Sequence, residues 1–85
     1  MTTITNTVNV ERIEISIEML REYVKETSIE PIITLLESMK KAPGNEQLLE
    51  TLSETFNALG IVQGAILTYA PYVGILISED PFGNG

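Results

Sequence analysis

The feature that most constrains this chain is a long segment without charge, residues 55–78, in a protein otherwise rich in carboxylates. The chain has twelve Asp or Glu residues against five Lys or Arg, and Glu54 and Glu79 border the segment. Charged side chains are seldom buried without a partner, so this segment is the part best suited to burial. It is expected to be half of a core, a surface for another chain, or a membrane segment.

The length sets a second limit. Eighty-five residues form one domain at most, near the size at which a single core is only just sufficient. We predict a single domain over 1–85, with a flexible arm at 1–8 and an irregular tail at 79–85. Small chains often obtain their missing burial from another subunit, and the uncharged segment is the natural place for it.

Composition argues against several classes of function. Cysteine and histidine are both absent, which removes the commonest general base and metal ligand. No phosphate loop or nucleophile elbow is present. Rows of glutamate such as Glu14, Glu18, Glu22 and Glu26 resemble dimetal sites, but those sites also use histidine. We therefore predict no enzymatic activity, no catalytic residues, no cofactor and no metal site.

Charge and the first residues bear on partners and location. Nothing after Lys41 is positive, and the net charge is −7, so the basic footprint of a nucleic-acid-binding protein is missing. The opening residues, MTTITNTVN, have neither the basic nor the apolar region of a secretory signal. The expected location is the cytoplasm, with no nucleic acid as a partner.

Apolar periodicity predicts a mainly all-α fold, a three-helix antiparallel arrangement. Helix 1, about 9–26, has an apolar stripe at spacings of three and four with Asn9 as its N-cap. Helix 2, about 28–41, has Ser28 as a cap and Pro31 in its first turn, and APGN ends it. Helix 3 is predicted over about 45–70. The short apolar segment 72–78 fits a buried strand or a helix equally well.

One face of helix 3 changes character along its length. It begins acidic, with Glu46, Glu50 and Glu54, and continues as small or apolar residues, among them Gly60 and Gly64. Glycine inside a helix costs about 1 kcal/mol relative to alanine, so two glycines on one face indicate close approach of another helix. A second packing partner is therefore expected near the end of helix 3.

The hairpin around the APGN turn resembles a known family. Residues 37–56, ESMKKAPGNEQLLETLSETF, are similar to the helix–turn–helix of type III secretion needle subunits, which place a Pro-x-Asn turn before a Leu pair. The resemblance covers under a quarter of the chain. The segment after Phe56 departs from the polar amphipathic helix by which those subunits assemble, so we do not assign the family. The hypothesis of a self-assembling hairpin is independent of that family.

Three functional hypotheses follow. The first is a non-catalytic protein that associates with itself or with another protein through segment 57–78. The second is a small membrane protein with residues 56–77 inserted, which the length of the segment permits and its Pro71 and polar residues disfavour. The third is an acidic inhibitor that presents the carboxylates of 14–26 and 46–54 to a basic partner. The predicted interface comprises Asn57, Gly60, Ile61, Gly64, Ala65, Thr68, Tyr69, Tyr72, Ile75 and Ile77.

Overall fold

The computed structural model describes residues 8–79, which are helical throughout apart from short connections and contain no strand. The predicted arm at 1–8 and tail at 79–85 lie outside the described residues except at one position each: Val8 is buried, and Glu79 is the last residue of α5. The mainly all-α prediction is confirmed. The elements are α1 (Val10–Tyr23), a short 3-10 helix (Thr27–Ile29), α2 (Glu30–Lys41), α3 (Glu46–Asn57), α4 (Val62–Tyr69) and α5 (Pro71–Glu79).

The first helix forms for the reasons its sequence suggests. The Asn9 side chain accepts a hydrogen bond from the Arg12 amide at 3.1 Å, which satisfies one of the free donors at the helix start. Ile13, Ile17 and Leu20 are buried, as the apolar stripe predicts. The helix ends at Tyr23 rather than near residue 26, because the next residue, Val24, is extended and turns into the core.

The second and third helices form a hairpin around APGN. Pro31 lies in the first turn of α2, as predicted, but Ser28 lies within the 3-10 helix and does not cap α2. The position before α2 is Ile29, whose side chain is buried, so packing fixes this helix start. At the other end of the hairpin, the Asn45 side chain accepts hydrogen bonds from the amides of Gln47 and Leu48.

The predicted continuous helix over 45–70 is wrong, because the chain breaks between α3 and α4. Gly60 adopts a φ of +67°, a left-handed conformation that glycine reaches without the clash of a side chain. The Gln63 side chain donates to the carbonyl oxygens of Phe56 and Asn57 at 3.1 and 3.2 Å. These bonds reach two of the carbonyl oxygens at the end of α3, so the break is stabilised by a side-chain cap.

The segment 72–78, left open between strand and helix, belongs to a helix. Pro71 is the first residue of α5, where its missing N–H is harmless. Val73 and Leu76, three residues apart, are both buried, which is helical spacing. The single residue Ala70 joins α4 to α5 and is itself buried, so the two short helices form a tight bend.

One core unites the helices. α1 packs against α2, α4 and α5, and α3 packs against α2 and α5. Buried residues from all five helices contribute to a single cluster, including Leu20, Leu36, Leu52, Ile66 and Leu76. An ion pair between Arg21 and Glu37 at 2.7 Å joins α1 to α2 at the surface. Within residues 8–79, no helix has both the length and the apolar character needed to cross a bilayer.

Replacing Gly60 tests the break between α3 and α4. Gly60→Ala is expected to lower the free energy of unfolding by about 1–2 kcal/mol, because alanine in a left-handed conformation is strained. An added Cβ meets no atom within 4 Å there, so crowding does not contribute. Urea denaturation measures the change. Gly60→Asn is the control and is expected to lose less, since asparagine tolerates this conformation; equal stability of wild type and Gly60→Ala contradicts the interpretation.

Candidate protein-interaction surface

The two C-terminal helices expose an apolar surface. They carry no charge between residues 62 and 78, yet Ile66 is the sole fully buried residue of α4. The side chain of Ile61, at the start of α4, is 94% exposed, and those of Leu67 and Ile75 are 42% and 40% exposed. We call the exposed residues Ile61, Gly64, Leu67, Thr68, Tyr69 and Ile75 the α4–α5 surface. Its lack of charged residues is a feature shared with the centres of protein interfaces.

Helix α1 extends this surface. Ile15 and Tyr23 are 58% and 54% exposed, although they belong to a helix whose other apolar residues are largely buried. The Tyr23 ring stacks on that of Tyr69, with centroids 5.1 Å apart and planes at 14°. The sequence prediction missed both α1 residues. The available signal was the spacing of four from Ile15 to Met19 to Tyr23, which forms a second apolar stripe.

A groove lies where α1 meets the bend between α4 and α5, and its volume is about 240 Å³. It brings together three of the predicted interface residues, Tyr69, Tyr72 and Ile75. The complete lining is Arg12, Ile15 and Ser16 from α1, and Tyr69, Ala70, Pro71, Tyr72 and Ile75 from the bend and α5. The walls are apolar except for one guanidinium and a few hydroxyl groups. The groove therefore offers a ligand a recess with mainly apolar walls.

Hydrogen bonds hold the groove in shape. The Tyr72 hydroxyl accepts from the Asn9 amide at 2.8 Å, which ties α5 to the start of α1. The Ser16 hydroxyl is buried and donates to the Arg12 carbonyl oxygen at 2.9 Å. The Arg12 guanidinium lies over the Tyr72 ring, 5.4 Å from its centroid, at the distance of a cation–π contact. Both walls are thus fixed by contacts within the chain.

Arg12 is the sole charged residue of the groove lining. In the part of the chain described, an ion pair forms between Arg21 and Glu37, and none forms at Arg12. Arg12 itself is exposed. The Arg12 guanidinium is thus oriented by the Tyr72 ring and has no carboxylate partner among the described residues, although the chain contains twelve Asp or Glu residues. The groove therefore combines an apolar interior with an available cation.

The structure places the predicted glycine face differently from the sequence expectation. Gly60 and Gly64 do not share a helix, since Gly60 forms the break and Gly64 lies in α4. An added Cβ at Gly64 meets no atom within 4 Å, so none of the other helices within residues 8–79 approaches it closely. The Thr68 hydroxyl donates to the Gly64 carbonyl oxygen at 2.8 Å. This face is open to a partner outside the chain.

The remaining predicted interface residues differ in exposure. Asn57 is exposed at the end of α3, whereas Ala65 and Ile77 are half-buried against the core. Their side chains thus contribute more to the fold of this chain than to its surface. Among residues 8–79, no group of acidic side chains is arranged to hold a metal ion.

Comparisons with protein-family models, with curated proteins and with solved structures find no match to this chain. The resemblance to needle subunits over residues 37–56 covers the end of α2, the Asn45-capped turn and nearly all of α3. The groove and the α4–α5 surface depend mainly on residues outside that hairpin.

Proposed function

We propose that this protein acts without catalysis, by association with a protein partner through the α4–α5 surface, and that the leading partner is a second copy of the chain. The observation that carries the proposal is the exposure of large apolar side chains in a segment, residues 55–78, that has no charge. Ile61, Leu67 and Ile75 are the main examples. Soluble proteins seldom expose clustered apolar side chains unless another molecule covers them.

The distribution of charge supports self-association. Two copies that each carry a net charge of −7 repel one another wherever their carboxylates meet. The α4–α5 surface is the part of the described chain where this repulsion is smallest, because α4 has no charged residue. Charged residues are likewise depleted at the centres of protein interfaces in general.

The open face at Gly64 supports close packing of a partner helix. An added Cβ at Gly64 would meet no described atom within 4 Å. One turn further along α4, the Thr68 hydroxyl donates a hydrogen bond to the Gly64 carbonyl oxygen. A partner helix can therefore approach the backbone of α4 closely at Gly64, where the Thr68 hydroxyl is already hydrogen-bonded. The most exposed apolar side chain, Ile61, borders this face and is available to pack against the partner.

Light scattering on a sizing column tests the proposal, with protein purified without detergent. The expected result is a stable dimer or higher oligomer. Gly64→Leu is expected to reduce the assembly to monomer, because the leucine side chain occupies the space that the partner helix requires. The variant should fold normally, since leucine is the better helix former.

Gly44→Leu is the matched control. An added Cβ at Gly44 also meets no atom within 4 Å, but Gly44 lies in the α2–α3 turn, outside the proposed interface. This variant is expected to assemble as wild type does. A monomeric wild type, equal assembly of the Gly64→Leu variant and wild type, or recovery of the protein only in detergent contradicts the proposal.

A further inference from the structure

We propose that the groove between α1 and the α4–α5 bend binds the C-terminus of a partner polypeptide that ends in a large apolar residue. The apolar side chain enters the groove and the terminal carboxylate pairs with Arg12. This inference rests on the proposed function as a protein-binding module and specifies the chemistry of one partner.

The volume of the groove limits what it accepts. Sites for drug-sized ligands occupy roughly 300–1,000 Å³, and the groove has about 240 Å³. It is therefore matched to one large side chain rather than to a cofactor. Its apolar walls include Ile15, Tyr69 and Ile75, each of which is partly exposed and gains burial when a side chain enters.

The positive charge of Arg12 indicates that the second group of the ligand is a carboxylate. Arg12 lines the same groove, has no ion-pair partner among the described residues, and is oriented by the Tyr72 ring. A guanidinium binds a carboxylate through two parallel hydrogen bonds, which fix orientation as well as affinity. The ligand thus needs one carboxylate close to its apolar side chain.

A chain terminus meets both requirements with a single residue. The terminal carboxylate and the side chain are attached to the same Cα, and the groove holds about one side chain. A segment with several acidic residues is less suitable, because the chain carries a net charge of −7 that repels additional carboxylates. One carboxylate at Arg12 is the arrangement with the least repulsion.

The groove is already formed in the free chain, which favours binding. The Tyr72 hydroxyl is fixed by the Asn9 amide, and the Ser16 hydroxyl is satisfied by the Arg12 carbonyl oxygen. Neither group has to break a bond with the protein for the apolar side chain to enter. Little conformational freedom is therefore lost by the walls when the ligand binds.

Amide chemical shifts followed by NMR test the proposal, with N-acetyl-L-phenylalanine as the probe. The expected result is weak, saturable binding that perturbs the amides of Ile15, Ser16, Ala70 and Ile75. N-acetyl-L-phenylalaninamide, which lacks the carboxylate, should bind about threefold to fivefold more weakly, as expected for one partly exposed charge pair. Arg12→Gln should remove this difference and retain the binding of the amide.

Two outcomes overturn the proposal. The first is equal binding of the acid and the amide to wild-type protein, or no perturbation at the groove. The second is tighter binding of N-acetyl-L-aspartyl-L-phenylalaninamide, which carries its carboxylate on a side chain, than of N-acetyl-L-phenylalanine. The two experiments are read at different residues, because Gly64 is not part of the groove lining. Tyr69 and Ile75 belong to both the groove and the α4–α5 surface, so the probe is also titrated against the Gly64→Leu variant, in which self-association is expected to be lost. Failure of the Gly64→Leu experiment and failure of the probe experiment are therefore distinguishable.

Discussion

Leu36→Ala is expected to lower the free energy of unfolding by about 2–5 kcal/mol, the range typical of a buried leucine whose removal leaves a cavity. Leu36 has no exposed surface and belongs to α2, the helix that packs against both α1 and α3. The neighbouring helices cannot collapse into the space independently, because each also contacts other parts of the core. Urea denaturation followed by circular dichroism measures the change.

A surface leucine provides the matched control for this prediction. Leu67→Ala removes the same atoms as Leu36→Ala. Because the Leu67 side chain is 42% exposed, the substitution removes less buried apolar surface. A smaller decrease, of about 1–2 kcal/mol, is expected for it, because the Leu67 side chain is partly exposed but lies against Gly74 of α5. If both variants lose the same stability, the core assigned to α2 is wrong.

The starts of α1 and α3 were predictable because local signals agree with the packing. In α1 the apolar stripe, the Asn9 cap and the buried residues Ile13 and Leu20 all indicate the same helix. The Asn45 cap marks the start of α3 in the same way. Where a cap and a period coincide, tertiary contacts reinforce the local preference and do not override it.

The break after α3 was not predicted, because the apolar period continues through it. Leu59 and Ile66 lie at helical spacing from Leu52, so the pattern alone favours one long helix. A glycine tolerates both a helical and a left-handed conformation, and the sequence does not distinguish them. The bond from the Gln63 side chain to the end of α3 selects the break, and that bond exists only in the folded chain.

The groove also lay beyond sequence reasoning. Its two polar determinants, Arg12 and Tyr72, are far apart in the chain and meet because α5 returns to the start of α1. Segment 57–78 was nevertheless identified as the candidate site, because the absence of charge is visible without any structure. Composition thus located the surface, and tertiary packing determined its shape.

Ile66→Ala is expected to lower the free energy of unfolding by about 2–5 kcal/mol and to loosen α4 and the bend after it more than the rest of the fold. Ile66 is fully buried and is the one residue of α4 with that property. The other attachments of this region include Ala70 and the Tyr23–Tyr69 stack, which bury less apolar surface. Hydrogen exchange should therefore show protection lost first in the amides of α4, while α1 and α2 stay protected.

The neighbouring residue separates the role of α4 in folding from its role in binding. Ile66 is fully buried, whereas Leu67 is 42% exposed and its side chain lies against Gly74 of α5, so Leu67→Ala is expected to weaken assembly with a smaller loss of monomer stability than Ile66→Ala. Ile66→Ala should weaken both, because a helix that has detached from the core cannot present an ordered surface. Full assembly by an Ile66→Ala variant whose α4 amides exchange freely contradicts this account, since binding would then not depend on the position of α4 in the fold.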